Sequence, residues 1–339
     1  MTKDFLSLPK DHQAVLIHSA EKTLPFIDTV IEKDIWVCKL LEILFSLPYA
    51  MVFKGGTSLS KGYGLISRFS EDLDITIDHI HLREEPIKLE GATRSSLKKI
   101  SNELKESLRV FSHDVLLPQI QKQLNAQLPE SEFDLMVSNN GEQVRVYYPS
   151  VLNEKEAYFR DHVLLEFGAR SEIEPKKICS IQPYLAGAID EKYTFPKPNV
   201  PVLSPIRTLW EKLTLIHVEC QRNRLIQSAS RLSRHWYDVF MLNQSWVGSY
   251  LFDSANVLKQ VIDYKKAFYN ASYANYDDCL EGGFILIPEE KALVSLEADY
   301  LEMCQSGMLV DTPPTFYDIV LELTELQSKL SKTLAVTTC

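Results

Sequence analysis

Apolar residues between Ile31 and Phe45 (Ile35, Cys38, Leu41, Leu44 and Phe45) recur near helical spacing, and Leu47-Pro48 closes the run. The segment is predicted to be an amphipathic helix. A short β-prone stretch, Tyr49 to Phe53, then delivers the chain into Lys54-Gly55-Gly56, where Thr57 or Ser58 is placed to cap a short helix. Beyond it Leu73, Ile75 and Ile77 alternate with Asp72, Asp74, Thr76 and Asp78. A period of two predicts a strand with one buried face. The order is therefore strand, Gly-Gly turn, helix, strand.

Residues Glu85 to Gln127 are predicted to be helical, with a long polar face and a break near Pro118. Two β-prone stretches, Phe133 to Val137 and Val144 to Tyr148, flank Asn139-Asn140-Gly141, the signature of a hairpin. The run Val163 to Gly168 is a further strand interrupted by one acid, Glu166, and Lys177 to Tyr184 is expected to pair beside it. Four prolines, Pro196, Pro198, Pro201 and Pro205, suggest an extended connection, and helical patterns dominate from Ser204 onward. The expected fold class is α/β (α+β): a mixed sheet flanked by helices over residues 1–200, then a C-terminal helical domain over residues 201–339.

Hydrophobic residues make up 45% and charged residues 24% of the 339, so a folded core is expected. No apolar run reaches eighteen residues, and Met1 to Pro25 lacks the pattern of a secretion signal, so a cytoplasmic, membrane-free protein is expected. Six scattered cysteines (Cys38, Cys179, Cys220, Cys279, Cys304, Cys339) show no metal-ligand spacing and are expected to be reduced thiols. A net charge of −10 argues against coating nucleic acid by bulk attraction. Locally, Arg207, Lys212, Arg222, Arg224, Arg231 and Arg234 stand against only Glu211 and Glu219. That excess is compatible with an RNA backbone.

Asp72 and Asp74 are one residue apart and point to the same side of their strand. They are either solvated acids at a strand edge or ligands for a hard divalent ion, whose charge relieves their repulsion. With Glu166 as third acid they make a candidate two-ion site for phosphoryl or nucleotidyl transfer. Gly55-Gly56 is either a plain tight turn or a backbone cradle for phosphate. It is not a P-loop, since Lys61 follows Ser60 rather than glycine. Lys212 flanks an apolar stripe of Leu209, Leu213, Ile216 and Cys220, as a surface lysine or a point charge for a triphosphate. Asp238, among apolar neighbours, needs a partner. Arg234 one turn earlier is the structural choice, and orienting Lys212 or a nucleotide is the alternative. His79 and His81 are expected in a loop or at an edge, and Trp210, Trp236 and Tyr237 either pack in the core or stack on a base.

Three stretches carry a resemblance: Glu32-Lys33-Asp34-Ile35-Trp36; FKGGTSLSKGYGLISRFSEDLDI from Phe53 to Ile75; and Lys212 followed by RHWYDVFML from Arg234 to Leu242. Together they resemble the AbiEii/AbiGii toxin group of the nucleotidyltransferase superfamily, over about two thirds of the chain. The resemblance implies that Lys54, Gly55, Gly56, Thr57 and Ser58, with Lys212, bind a nucleoside triphosphate. It implies that Asp72 and Asp74, with Glu166, hold magnesium, two ions in all, and that Lys212 and Asp238 complete the catalytic set. It further implies transfer of a nucleoside monophosphate to an acceptor hydroxyl, RNA such as the 3′ end of transfer RNA, by a toxin whose antitoxin is encoded alongside. The alternatives are a kinase-like phosphotransferase, a nucleotidyltransferase acting on a small molecule, and an inactive nucleotide-binding module.

Overall fold

The computed structural model describes residues 2–129, 132–152, 159–222, 225, 229–310 and 312–337. Arg224 and Cys339, both singled out above, lie outside them. The chain divides into two compact units: one made of residues up to Gly64, Arg68–Ile87 and Ile100–Leu203, the other of Leu65–Ser67, Lys88–Lys99 and the chain from Ser204 onward.

The first unit is built on a mixed seven-stranded sheet. In chain order its elements are β1 (Lys3–Asp4), α1 (Lys10–Ala20), α2 (Asp28–Ser46), β2 (Met51–Lys54), α3 (Gly55–Lys61), β3 (Asp72–Ile77), α4 (His79–Arg83), α5 (Arg94–Phe111), α6 (Leu117–Gln127), β4 (Asp134–Val137), β5 (Gln143–Tyr147), β6 (Val163–Gly168), β7 (Lys176–Ser180), β8 (Tyr193–Thr194) and β9 (Asn199–Leu203). The sheet order is β4-β5-β6-β3-β2-β9-β7, and β1 and β8 form a separate parallel pair. β3 runs antiparallel to β2 and parallel to β6. This central position explains why β3 is covered on both faces rather than one, with Thr76 as inaccessible as Ile75 and Ile77.

The hairpin β4–β5 forms as Asn139-Asn140-Gly141 predicts, with Gly141 at φ +71° and Val137 opposite Val144. Three expectations change. The stretch from Glu85 becomes regular helix only at Arg94, after Pro86 and a left-handed Gly91, and a π-helical turn at Ser112–Leu116 precedes α6, whose first turn holds Pro118. β7 pairs with β9, not with β6, whose two flanks are taken by β3 and β5. The proline-rich connection contains β9 itself: Val200, Val202 and Leu203 are buried there, and Pro201 occupies a strand position where its missing N–H is tolerated.

α2 is the helix that organises this unit. Nearly every residue from Thr29 to Leu44 is buried, so it is covered on its polar side as well as its apolar stripe. Burying Glu32, Lys33 and Asp34 in succession requires a partner for each charge. Glu32 accepts hydrogen bonds from Ser150 Oγ (2.7 Å) and the Val151 N–H (2.6 Å). Lys33 Nζ meets Glu71 Oε2 at 2.6 Å and the Arg160 carbonyl at 2.5 Å. Asp34 takes Lys61 Nζ at 2.8 Å and the Tyr184 N–H at 2.7 Å.

In the second unit α7 (Pro205–Cys220) starts at Ser204 with proline in its first turn. It packs with helices Ser233–Gln244 and Ala255–Phe268, and Ser233–Gln244 packs in turn with Glu290–Gln305 and Phe316–Thr337. Trp210, Trp236 and Tyr237 are core residues, with the indole N–H groups donating to Ser254 Oγ (2.8 Å) and the Leu286 carbonyl (2.9 Å). No described helix is long and apolar enough to cross a membrane.

Asp34→Ala is expected to destabilise the first unit by about 3–5 kcal/mol, because it strands the Lys61 ammonium, 3% exposed, without its carboxylate. Asp263→Ala, in an exposed i,i+4 pair with Lys259, should leave the urea unfolding midpoint almost unchanged. Equal midpoints for wild type and Asp34→Ala would show that the buried pair is not what holds α2 to α3.

Candidate active site

β2 hands the chain directly to α3. Lys54 is the extended residue before the helix, and Gly55 turns it at φ +75°. The helix starts at least three residues earlier than the sequence suggests, with Lys54 rather than Thr57 or Ser58 at its cap position. Instead Thr57 Oγ1 reaches across to the Ser70 (3.1 Å) and Asp72 (2.5 Å) carbonyls, and Ser58 Oγ donates to the Gly55 carbonyl at 2.9 Å. The two Thr57 bonds fasten α3 to the start of β3.

The two glycines face this chain's own side chains. A Cβ on Gly55 would lie 1.9 Å from Asp74 Oδ2, and one on Gly56 would lie 2.4 Å from Arg68 Nη2 and 3.0 Å from Ser70 Oγ. Hence the absence of side chains here first makes room for a carboxylate and a guanidinium. Arg68, 3% exposed, also bonds the Phe69 carbonyl through Nη1 at 3.2 Å. Sequence reading assigned it no role, although it lies inside the Phe53–Ile75 motif.

Strand register brings the polar residues into one row. Lys54 stands opposite Asp74, Asp74 opposite Glu166, and Glu166 opposite Gln143, so four polar side chains cross β2, β3, β6 and β5 on one face. Gln143 Nε2 donates to Glu166 Oε1 at 2.8 Å. Asp72 lies two residues along from Asp74 on the same face, 5% exposed, with its Oδ1 taking Arg160 Nη1 at 2.6 Å.

Arg160 is in turn placed by a buried pair. Its carbonyl accepts from Lys33, and its N–H donates to Glu71 Oε2 at 3.2 Å. Burial pushes the Lys33 pKa down against the pull of Glu71, whereas Lys61, also penalised by burial, is driven above the usual lysine range by Asp34. The Glu32-Lys33-Asp34 run signalled these contacts only as a sequence resemblance; no spacing rule points to residue 160.

The three carboxylates Asp72, Asp74 and Glu166 supply hard oxygen donors, which fit a divalent cation. Among the described residues, the three acid or histidine ligand atoms within 4.8 Å of one another belong to His18, Glu21 and Asp28, a mostly exposed group. Gathering Asp72, Asp74 and Glu166 on one ion therefore requires side-chain rotation.

In the second unit Lys212 is buried rather than held at a rim. Its Nζ lies 2.8 Å from Asp238 Oδ2 and 3.5 Å from His235 Nδ1, and Asp238 is fully inaccessible. The contact with Lys212, one of the two alternatives for Asp238, is present at 2.8 Å. The helix that carries Asp238 is fixed at its start by Asp299, which accepts from the Ser233 N–H (2.9 Å), Ser233 Oγ (2.5 Å) and the Arg231 N–H (2.5 Å). Much of the basic excess is engaged internally: Arg207 is buried against Gln260 and Glu211, and Arg222 pairs with Glu219 at 2.7 Å. His79 accepts from the Ile87 N–H at 3.3 Å, and His81 packs on Tyr49 and Phe111 in and beside α4.

A family model described as "Nucleotidyl transferase AbiEii toxin, Type IV TA system" matches residues 40–322. Among solved structures, the nucleotidyltransferase toxin MenT4 from Mycobacterium tuberculosis H37Rv is similar at 17% identity and a TM-score of 0.44, over 97% of this chain and 99% of that one. JHP933 from Helicobacter pylori is similar at 18% identity and a TM-score of 0.39, over 90% and 92%. No curated protein matches. Since the family match runs from within α2 to within helix Phe316–Thr337, taking in the glycine turn, all three acids and the Lys212–Asp238 pair, the chain belongs to the AbiEii family of nucleotidyl transferase toxins of type IV toxin–antitoxin systems.

Proposed function

We propose that this nucleotidyltransferase toxin moves a nucleoside monophosphate from a nucleoside triphosphate to a hydroxyl of RNA, the 3′ end of transfer RNA being the reading favoured by resemblance. The observation that carries it is the polar row Lys54–Asp74–Glu166 beside a glycine turn whose Gly55 packs on Asp74. The acceptor oxygen attacks the α-phosphorus, the bond to the bridging oxygen breaks, and pyrophosphate leaves. Glu166, one strand from Asp74, takes the hydroxyl proton or completes the acid set. Asp72 and Asp74 would hold magnesium, two ions in the full assignment, with Glu166 as the third ligand; when bound, such ions neutralise charge on the attacking and leaving oxygens.

Gly55, Gly56, Thr57 and Ser58 hold the triphosphate through the backbone of the turn, with Lys54 at its entry and Arg68 supplying a buried cation beside Gly56. Lys212 is assigned to nucleotide binding by family resemblance and charge. Asp238 then acts through Lys212, orienting its ammonium by the 2.8 Å contact. Catalysis of this kind is mostly positioning and charge neutralisation. The cognate antitoxin that the family implies is expected to be encoded in the same operon. The reading divides the chain into a nucleotidyltransferase-like domain over residues 1–200 and a helical domain over residues 201–339, acting in the cytoplasm.

Incubating the purified chain with magnesium, total transfer RNA and each α-labelled nucleoside triphosphate should label the RNA, and γ-labelled nucleotide should not. The Asp72→Ala, Asp74→Ala double variant is expected to lose about 10²–10³-fold in rate. Label arriving from the γ-position would turn the reading into a kinase-like one; undiminished labelling by the double variant would remove it.

Gly55→Ala separates the two demands on the glycine turn. Its methyl must displace the Asp74 carboxylate, so a folded protein with at least about tenfold lower transfer is expected. Gly64→Ala adopts a comparable left-handed φ of +63° with nothing within 4 Å of the added Cβ, and it should remain active. Equal losses in the two variants would assign the effect to backbone strain alone.

A further inference from the structure

We propose that Arg160 is a positioning residue that competes with the divalent cation for Asp72, so that guanidinium and ion hold the same carboxylate in turn. The proposal rests on Asp72 and Asp74 being the cation's ligands. The Arg160 backbone is pinned on both sides by a buried ion pair: Lys33 donates to its carbonyl at 2.5 Å, and Glu71 accepts from its N–H at 3.2 Å. Lys33 and Glu71 are 0% and 1% exposed, which makes them a poor surface feature and a firm anchor. The Arg160 side chain is different. It is 32% exposed while its Nη1 sits 2.6 Å from Asp72 Oδ1. A fixed base with a partly exposed side chain is an arm that can leave the carboxylate without leaving the site.

The chemistry requires it to leave. Asp72 and Asp74 on one strand face repel each other, and the guanidinium offsets that repulsion. An arriving divalent ion needs carboxylate oxygens at roughly 2.0–2.1 Å, which brings it within a few ångströms of the guanidinium. Like charges at that separation repel strongly in a partly buried site. Arginine cannot shed its proton, so its charge is removed only by moving it. The triphosphate arriving with the ion offers the guanidinium a bidentate partner, which couples cation binding to nucleotide binding.

Manganese alone is the probe, added to the full chain and followed by loss of the free-ion resonance signal. Asp74→Asn identifies the site by abolishing the binding. Arg160→Gln is expected to bind manganese about five- to tenfold more tightly than wild type, and Arg160→Lys, which keeps the charge, to stay near wild type. In chelator, Arg160→Gln should melt below wild type, and manganese should raise its melting temperature by more than it raises that of wild type. Binding by Arg160→Gln that equals or falls below wild type, with Asp74→Asn still abolishing it, would overturn the competition. Wild-type binding by Asp74→Asn would instead overturn the cation site and the competition with it.

Discussion

Three charges on one buried helix govern how the first unit is put together. Glu32, Lys33 and Asp34 are removed from water along consecutive positions of α2, and each forces a distant piece of chain to come to it. Asp34 holds Lys61 at the end of α3, while Lys33 holds Glu71 just before β3. The stretch carrying the glycine turn is therefore clamped at both ends by the same helix. Thr57, bonded to the Ser70 and Asp72 carbonyls, closes the clamp from inside. Buried pairs of this kind contribute little over well-packed apolar residues, but breaking one leaves an uncompensated charge. What they contribute here is one position for α3 relative to β3.

The same clamp extends to electrostatics. Lys33 reaches Arg160 through its carbonyl, and Arg160 reaches Asp72 through its side chain, so a charge on α2 bears on an acid of β3 two contacts away. Lys212 and Asp238 repeat the principle in the second unit, with Asp299 fixing the helix on which Asp238 rides. In both units an ionisable residue proposed for chemistry is held by others with a packing role.

Much of this was legible from the chain. The alternation around Asp72 and Asp74 gives β3, Asn139-Asn140-Gly141 gives the hairpin, and the glycine turn between two β-prone stretches gives the local order of the site, because all three are local patterns. What was not legible depends on partners far away in sequence. The register that sets Glu166 beside Asp74 cannot be read from either strand alone. Lys212 looks like a surface lysine until Asp238 is seen beside it, and nothing in the glycine turn itself shows that Asp74 and Arg68 pack where its side chains are missing. β9 looks like a connection because Pro196, Pro198, Pro201 and Pro205 crowd its neighbourhood, and only burial tells the Trp210 and Trp236 rings from base-stacking platforms.

The parallel pairing of β3 with β6 has a meaning for synthesis. β2, α3 and β3 emerge together and can pair at once, but β3 waits for residues 163–168 before its other edge is covered. Parallel neighbours so distant in sequence close a long loop and form slowly. During that wait the Gly55–Asp74 contact can exist while the row it belongs to cannot, and Arg160 reaches Asp72 only after β4 and β5 have been made. For a chain of the toxin class, the order of translation itself keeps an unfinished copy from assembling the row, independently of any antitoxin.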